Sequence, residues 1–145
     1  MRILGLDHGD RHIGLALSDP LMLTAQPLGH YVLRGESENR KYFRDLVKRH
    51  EVGGIVVGFP LRMDGSPGTR VEKTRDFASW LGSVCGLTVE FWDERLTTQQ
   101  AVGIMQEQKV RSKDKKTVEH QISAALILQG YLDHRRLQGH APQDR

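Results

Sequence analysis

Three side chains far apart in the sequence, Asp7, Glu94 and His120, have the types and settings from which a reactive site can be assembled. Asp7 closes the apolar run Ile3–His8, in which alternation puts Ile3, Gly5 and Asp7 on one face and Leu4, Leu6 and His8 on the other. A carboxylate there must stay wet, find a positive partner or bind a metal, because burying it bare is costly. A turn-forming Asp at a strand end is the competing reading. Asp93-Glu94-Arg95 ends a second apolar run, Leu87–Trp92. Two carboxylates at the carboxyl end of a core strand lie where α/β sheets place their chemistry, although a strand end neutralised by Arg95 would look the same. On a helical wheel of ~100° per residue, His120 falls beside Ala124, Ile127 and Tyr131, facing inward. Glu119, Ser123 and Gly130 share a polar arc. An inward histidine is a core residue or, where carboxylates await it, a metal ligand.

The elements that must position these groups follow from periodicity. Ile3–His8 and Ile13–Ser18 flank Gly9-Asp10-Arg11-His12, a tight connection that predicts a β-hairpin. Asp19-Pro20 ends the ladder, and Leu21–Val32 supports a third strand around His30-Tyr31-Val32. Ser37 is a fair N-cap for a helix with Tyr42, Phe43, Leu46 and Val47 inward, its Arg and Lys residues forming the solvated face. Gly53–Gly58 reads as a strand covered on both faces. The polar stretch Phe59–Gly68 then opens into a helix over about Thr69–Val84, with Val71, Thr74, Phe77, Ala78, Leu81 and Val84 inward. A loop of this kind can meet phosphate at the helix N-terminus but lacks the GK[ST] ending of a P-loop. Thr97 and Gln100 have capping-box spacing for another helix. The basic run Lys109–Lys116 leads into the most apolar helix, Thr117 to about Arg135.

Composition narrows the field. The 145 residues suit a single domain, expected over residues 1–135 with a frayed tail at 136–145. The one cysteine, Cys85, can form no internal disulfide and has no metal-ligand spacing. No apolar run approaches the ~18 residues of a membrane span, and Met1-Arg2-Ile3 leads straight into a strand, so a soluble cytoplasmic protein is expected. A net charge of +3 with pI near 9.2 is mildly basic, which makes the position of the charge matter more than its total.

The segments LGLDHGDRHIGLALSDP, VVGFPLRMDGS, DERLTT and AALILQGYLD resemble, in order, those of the YqgF (RuvX-type) family. The resemblance runs from Arg2 to about Asp133. It implies an α/β, RNase H-like fold: a five-stranded mixed sheet whose first three strands form an antiparallel meander, with helices on both faces. It also implies similarity to Holliday junction resolvases and a nuclease acting on pre-16S rRNA. The family's first catalytic Asp falls on Asp7 and its catalytic Glu on Glu94. Its third acidic residue falls on His120, a departure for which Glu119, one step away, is the weaker substitute on the wheel. His12 stands where the family usually has Arg, which leaves Arg11 as the better phosphate contact. Arg62 and Arg95 lie in the matching blocks and are further candidates.

Phosphodiester hydrolysis needs an activated water, a stabilised leaving oxygen and neutralised phosphate charge, which two divalent ions about 3.5–4 Å apart can supply. Asp7, Glu94 and His120 are therefore the expected metal ligands, with Mg²⁺ or Mn²⁺ as the ion; an imidazole in the set favours Mn²⁺ more than usual. Arg111, Lys113, Lys115 and Lys116 sit just before the helix carrying His120 and would neutralise backbone phosphates without reading bases. A solvated linker is the competing reading of that run. The expected partner is nucleic acid, structured RNA first, met by a monomer or homodimer. A resolvase of branched DNA would require a dimer matched to the junction's two-fold symmetry. A non-catalytic ribosome assembly factor, its metal site weakened at His120, is the non-enzyme alternative.

Overall fold

The computed structural model describes residues 1–60, 68–96 and 115–138; the side chains of residue 95 and of residues 115–118 fall outside that description. Strands β1 (Arg2–His8), β2 (His12–Ser18) and β3 (Ala25–Val32) are followed by helix α1 (Glu36–Arg49) and strand β4 (Val52–Phe59). Helix α2 (Thr69–Cys85), strand β5 (Val89–Asp93), a 3-10 turn (Glu94–Leu96) and helix α3 (Lys115–Leu137) complete the described chain. The strands form one sheet in the order β3-β2-β1-β4-β5. β1, β2 and β3 are antiparallel neighbours, while β4 runs parallel to β1 and to β5.

Alternation along β1 divides the core. Leu4 and Leu6 pack with Ile13, Leu15, Ile55 and Val57 beneath Phe43 and Leu46 of α1 and Ala78 and Leu81 of α2. Ile3 packs with Ala16 and Val56 beneath Ala124, Ile127, Leu128 and Tyr131 of α3. One face thus carries two helices and the other carries α3, the sandwich that the resemblance implies. Gly5 does leave room for something to approach, and that something is α3: a Cβ at Gly5 would stand 2.7 Å from the Cβ of Leu128.

Several boundaries differ from the sequence expectation. Ser37 is not the cap; Gly35 is, and Ser37 sits inside the first turn of α1. The local hydrogen bonds go to Asn39 instead: its Oδ1 accepts from the Arg34 amide (2.8 Å) and the Tyr31 hydroxyl (2.7 Å), tying the helix start to β3. β3 starts at Ala25, earlier than its apolar centre suggests, and tolerates Pro27 because it is an edge strand with a register shift opposite Leu15 and Ala16. Gly86, in the left-handed conformation (φ 66°), closes α2, and the amides of Gly86 and Leu87 both donate to the Gly82 carbonyl. That closure uses Leu87 and delays β5 to Val89. α3 starts at Lys115 and runs to Leu137, beyond both expected ends. The Thr97–Gln100 capping box and residues 139–145 of the expected tail lie outside the described residues.

Candidate active site

The carboxyl end of β1 meets α3 at His120, while β4 and β5 meet the middle of the helix at Ile127 and Gly130. Gly14 of β2 is in register with Asp7 of β1 on one side and His30 of β3 on the other. A side chain at Gly14 is impossible without displacing α3, because its Cβ would lie 1.9 Å from the backbone oxygen of His120. The missing side chain thus lets the helix descend onto the sheet and bring His120 to Asp7. His120 Nδ1 stands 3.5 Å from Asp7 Oδ2, with the two side chains 32% and 19% exposed. The hydrogen-bonding carboxylate of Asp7 raises the pKa of His120 above its ordinary value, against the opposing effect of burial. Glu119 is exposed.

Glu94 enters from the other side, as the first residue of the 3-10 turn after β5. Gly58 makes room for it: a Cβ there would come within 3.0 Å of Glu94 Cγ and 2.4 Å of Ile127 Cδ1. Burial, followed by the negative charges of Asp7 and Asp93, pushes the Glu94 carboxyl up to about 7, with Arg70 pulling the other way. A half-buried carboxyl beside the carboxylates of Asp7 and Asp93 offers oxygen donors that suit a hard cation. Asp7, Glu94 and His120 therefore fit a divalent ion in donor chemistry. Among the described residues, however, no three His, Cys, Asp or Glu side chains are arranged closely enough to hold one as they stand.

The remaining candidates fare differently. Arg11 lies exposed at the hairpin tip, its carbonyl accepting the Leu33 amide at 2.7 Å. Arg62, Arg111 and Lys113 lie outside the described residues, as do the side chains of Arg95, Lys115 and Lys116. Gly130 does not share a polar arc with Glu119 and Ser123. It packs on the indole of Trp92, whose Nε1 would be 2.9 Å from a Cβ at Gly130, because this part of α3 faces β5.

Two constellations escaped the sequence reading. Arg70, in the first turn of α2, donates through Nη2 to the His8 carbonyl (2.6 Å) and pairs through Nη1 with Asp10, which Lys73 also approaches at 3.5 Å. Thr74 and Phe77 complete that helical face. Thr74 Oγ1 lies 3.2 Å from His8 Nδ1, and Phe77 stacks on the imidazole at 4.4 Å. The i, i+3, i+4, i+7 spacing of Arg70, Lys73, Thr74 and Phe77 was the available signal. In addition, the two departures from the family pattern are neighbours. His12 and His120 are nearly parallel with ring centroids 5.7 Å apart, and His30 contacts both.

Known proteins similar to this chain agree on its kind. The family described as RuvX, Holliday junction resolvase, matches residues 1–134. A Halothermothrix orenii protein named "Putative pre-16S rRNA nuclease" is 44% identical over 134 residues, covering 92% of this chain and 96% of its own length. A protein of the same name from Acetivibrio thermocellus is 46% identical over 135 residues, with coverage of 92% and 96%. T. thermophilus RuvC in complex with a Holliday junction substrate has a TM-score of 0.64 at 16% identity, over 97% of this chain and 98% of that one, a likeness of fold alone. The sheet order, helix α3 over one face and the acidic strand ends define an RNase H-like α/β domain. The chain belongs to the RuvX/YqgF family, whose family-level function, under the designation its relatives carry, is that of a pre-16S rRNA processing nuclease, a hydrolase.

Proposed function

We propose that this chain is a divalent-ion-dependent endonuclease of the cytoplasm that cuts structured RNA, with the 5′ end of pre-16S rRNA as its substrate. The observation that carries this reading is the meeting of Asp7, the raised Glu94 carboxyl and His120 at one end of the sheet. Asp7, Glu94 and the neutral form of His120 would hold the ions, Mg²⁺ or Mn²⁺. When bound, such ions neutralise phosphate charge and lower the pKa of water. Glu94 would act through its ionised carboxylate as an ion ligand, while Asp7 keeps His120 turned into the site and the proton of the attacking water passes to solvent. The P–O bond to the water oxygen forms as the bond to the leaving sugar oxygen breaks. Arg11, exposed at the hairpin tip, would meet the phosphate backbone, and the basic run before α3 would extend that contact.

The test is to incubate purified protein with end-labelled pre-16S rRNA fragments and with a four-way DNA junction, each with Mg²⁺, Mn²⁺ or EDTA. Ion-dependent cuts in the RNA are expected. Cleavage of the junction alone would replace the RNA substrate by branched DNA, and no cleavage of either would remove the enzymatic reading.

A further inference from the structure

His12 and His30 lie on adjacent antiparallel strands. His12 is in register with Val32, and His30 with Gly14, so the two are diagonal neighbours within reach of one another. His12 Nδ1 stands 2.8 Å from His30 Nε2, and the ring centroids are 4.9 Å apart. Two imidazole nitrogens at that distance can share only one proton, since at least one must present a lone pair to the other. Where one proton sits between two nitrogen lone pairs, a metal ion can take its place. The ring of His120, 5.7 Å from each of the other two, stands beside this pair.

We propose that His12 and His30 form a second cation site, a two-nitrogen clamp for a borderline transition ion such as Zn²⁺ or Ni²⁺, separate from the oxygen-rich site at Asp7 and Glu94. Imidazole nitrogens suit Zn²⁺, Ni²⁺ and Cu²⁺, whereas Mg²⁺ takes oxygen. With metal–nitrogen distances of about 2.0–2.1 Å and tetrahedral geometry, the donors would stand roughly 3.3 Å apart. The rings need open by only about 0.5 Å. Both donors project from paired strands, so little ordering is required on binding. His12 is exposed, which gives the ion an entry path and leaves the remaining positions to water. His120 is turned towards Asp7 and is not needed as a ligand. An ion there would staple edge strand β3 to β2 one ring away from the candidate active site.

Calorimetric titration of the untagged full-length chain with Zn²⁺ or Ni²⁺, in buffer containing millimolar Mg²⁺, tests the proposal. Because Zn²⁺ and Ni²⁺ also suit an Asp, Glu and His set, the titration is repeated in the Asp7→Asn background, where one ion per chain is expected at micromolar affinity. In that background His12→Ala and His30→Ala should each weaken it by about tenfold or more, equivalent to ~1.4 kcal/mol. At about a hundredfold excess over Kd the ion should raise the unfolding midpoint by roughly 5 °C or more, and only where both histidines are present. Because His12 is exposed, His12→Ala folds even if His30→Ala does not, and it decides the matter alone. Absence of binding in Asp7→Asn, or binding there that survives His12→Ala, would each overturn the site.

Discussion

His8 and His120 flank the same strand end, and their surroundings move their pKa values in opposite directions. His8 lies on the face covered by α2, stacked on Phe77, its Nδ1 facing the hydroxyl of Thr74 and the guanidinium of Arg70. Burial first, and then the positive charge of Arg70, lowers its pKa to about 4. His120 lies on the α3 face against the carboxylate of Asp7, which raises its pKa. One step along β1, from Asp7 to His8, separates a surface where carboxylates gather from one packed against a guanidinium and an aromatic ring. The strand pleat alone makes this separation, since adjacent side chains emerge on opposite faces. The proposed chemistry falls on one face, and Arg70, which bonds the strand end, lies on the other.

The largest effect should come from the charged face. Asp7→Asn keeps the side-chain shape but removes the charge, and cleavage should fall on the order of 10³-fold or more, as expected when several kcal/mol of electrostatic stabilisation are lost. Circular dichroism and the unfolding midpoint should stay near wild type. Substantial remaining turnover would mean that the charged face is not where the reaction occurs.

Glu94 sharpens the comparison through pH. Its folded pKa of about 7 lies above the ordinary 4.5, so the folded chain holds this proton between those values while the unfolded chain has lost it. The stability it contributes is full below about 4.5 and is lost as pH rises through about 7. Activity that needs the ionised carboxylate moves the other way, rising as stability falls. A bound cation lowers the pKa of a ligating carboxylate, so the rising limb of rate against pH should move to lower pH as the ion concentration is raised, and Glu94→Gln should remove it together with about 10²-fold or more of the rate. A limb that persists in Glu94→Gln would assign it to another group.

On the opposite face the expected effects are on stability. Arg70→Ala removes the bond to the His8 carbonyl and the pair with Asp10, at a cost of about 1–2 kcal/mol by denaturant unfolding. An unchanged midpoint would show that the hairpin tip is held without it. His8→Phe should keep the stack on Phe77 and give the smallest change at neutral pH. Its signature is a slope: the wild-type folded pKa lies below the unfolded one, so stability falls as pH drops from about 6.5 to about 4. That decline should flatten in the Phe variant, and an identical decline would remove His8 from the account.

The parts legible in the sequence are those that local periodicity encodes. Alternation in Ile3–His8 separates Asp7 from His8, helical spacing identifies Phe43, Leu46, Ala78 and Leu81 as inward, and the two apolar runs end on the carboxylates of Asp7 and Asp93-Glu94. The wheel turns His120 inward, and Asp7 meets it there. Contacts set by register between distant elements were not legible. Nothing near Arg70 in the sequence points to Asp10 sixty residues earlier. His12 and His30 meet only because β2 pairs with β3. Ser37 looked like a cap because its residue type suits one, but the contact of Asn39 with Tyr31 decides where α1 begins. Gly130 looked polar by default, and the indole that it admits comes from another strand.

In the proposed reading, Asp7 and His120 belong to one ion-binding unit that excludes Glu119. Calorimetric titration of Mn²⁺ into wild type, Asp7→Asn, His120→Ala and Glu119→Ala measures this directly, in the absence of nucleic acid. Wild type and Glu119→Ala should bind alike, while Asp7→Asn and His120→Ala lose about tenfold or more in affinity, ~1.4 kcal/mol each. Undiminished Mn²⁺ binding by Asp7→Asn, or loss of binding in Glu119→Ala with His120→Ala unaffected, would contradict it.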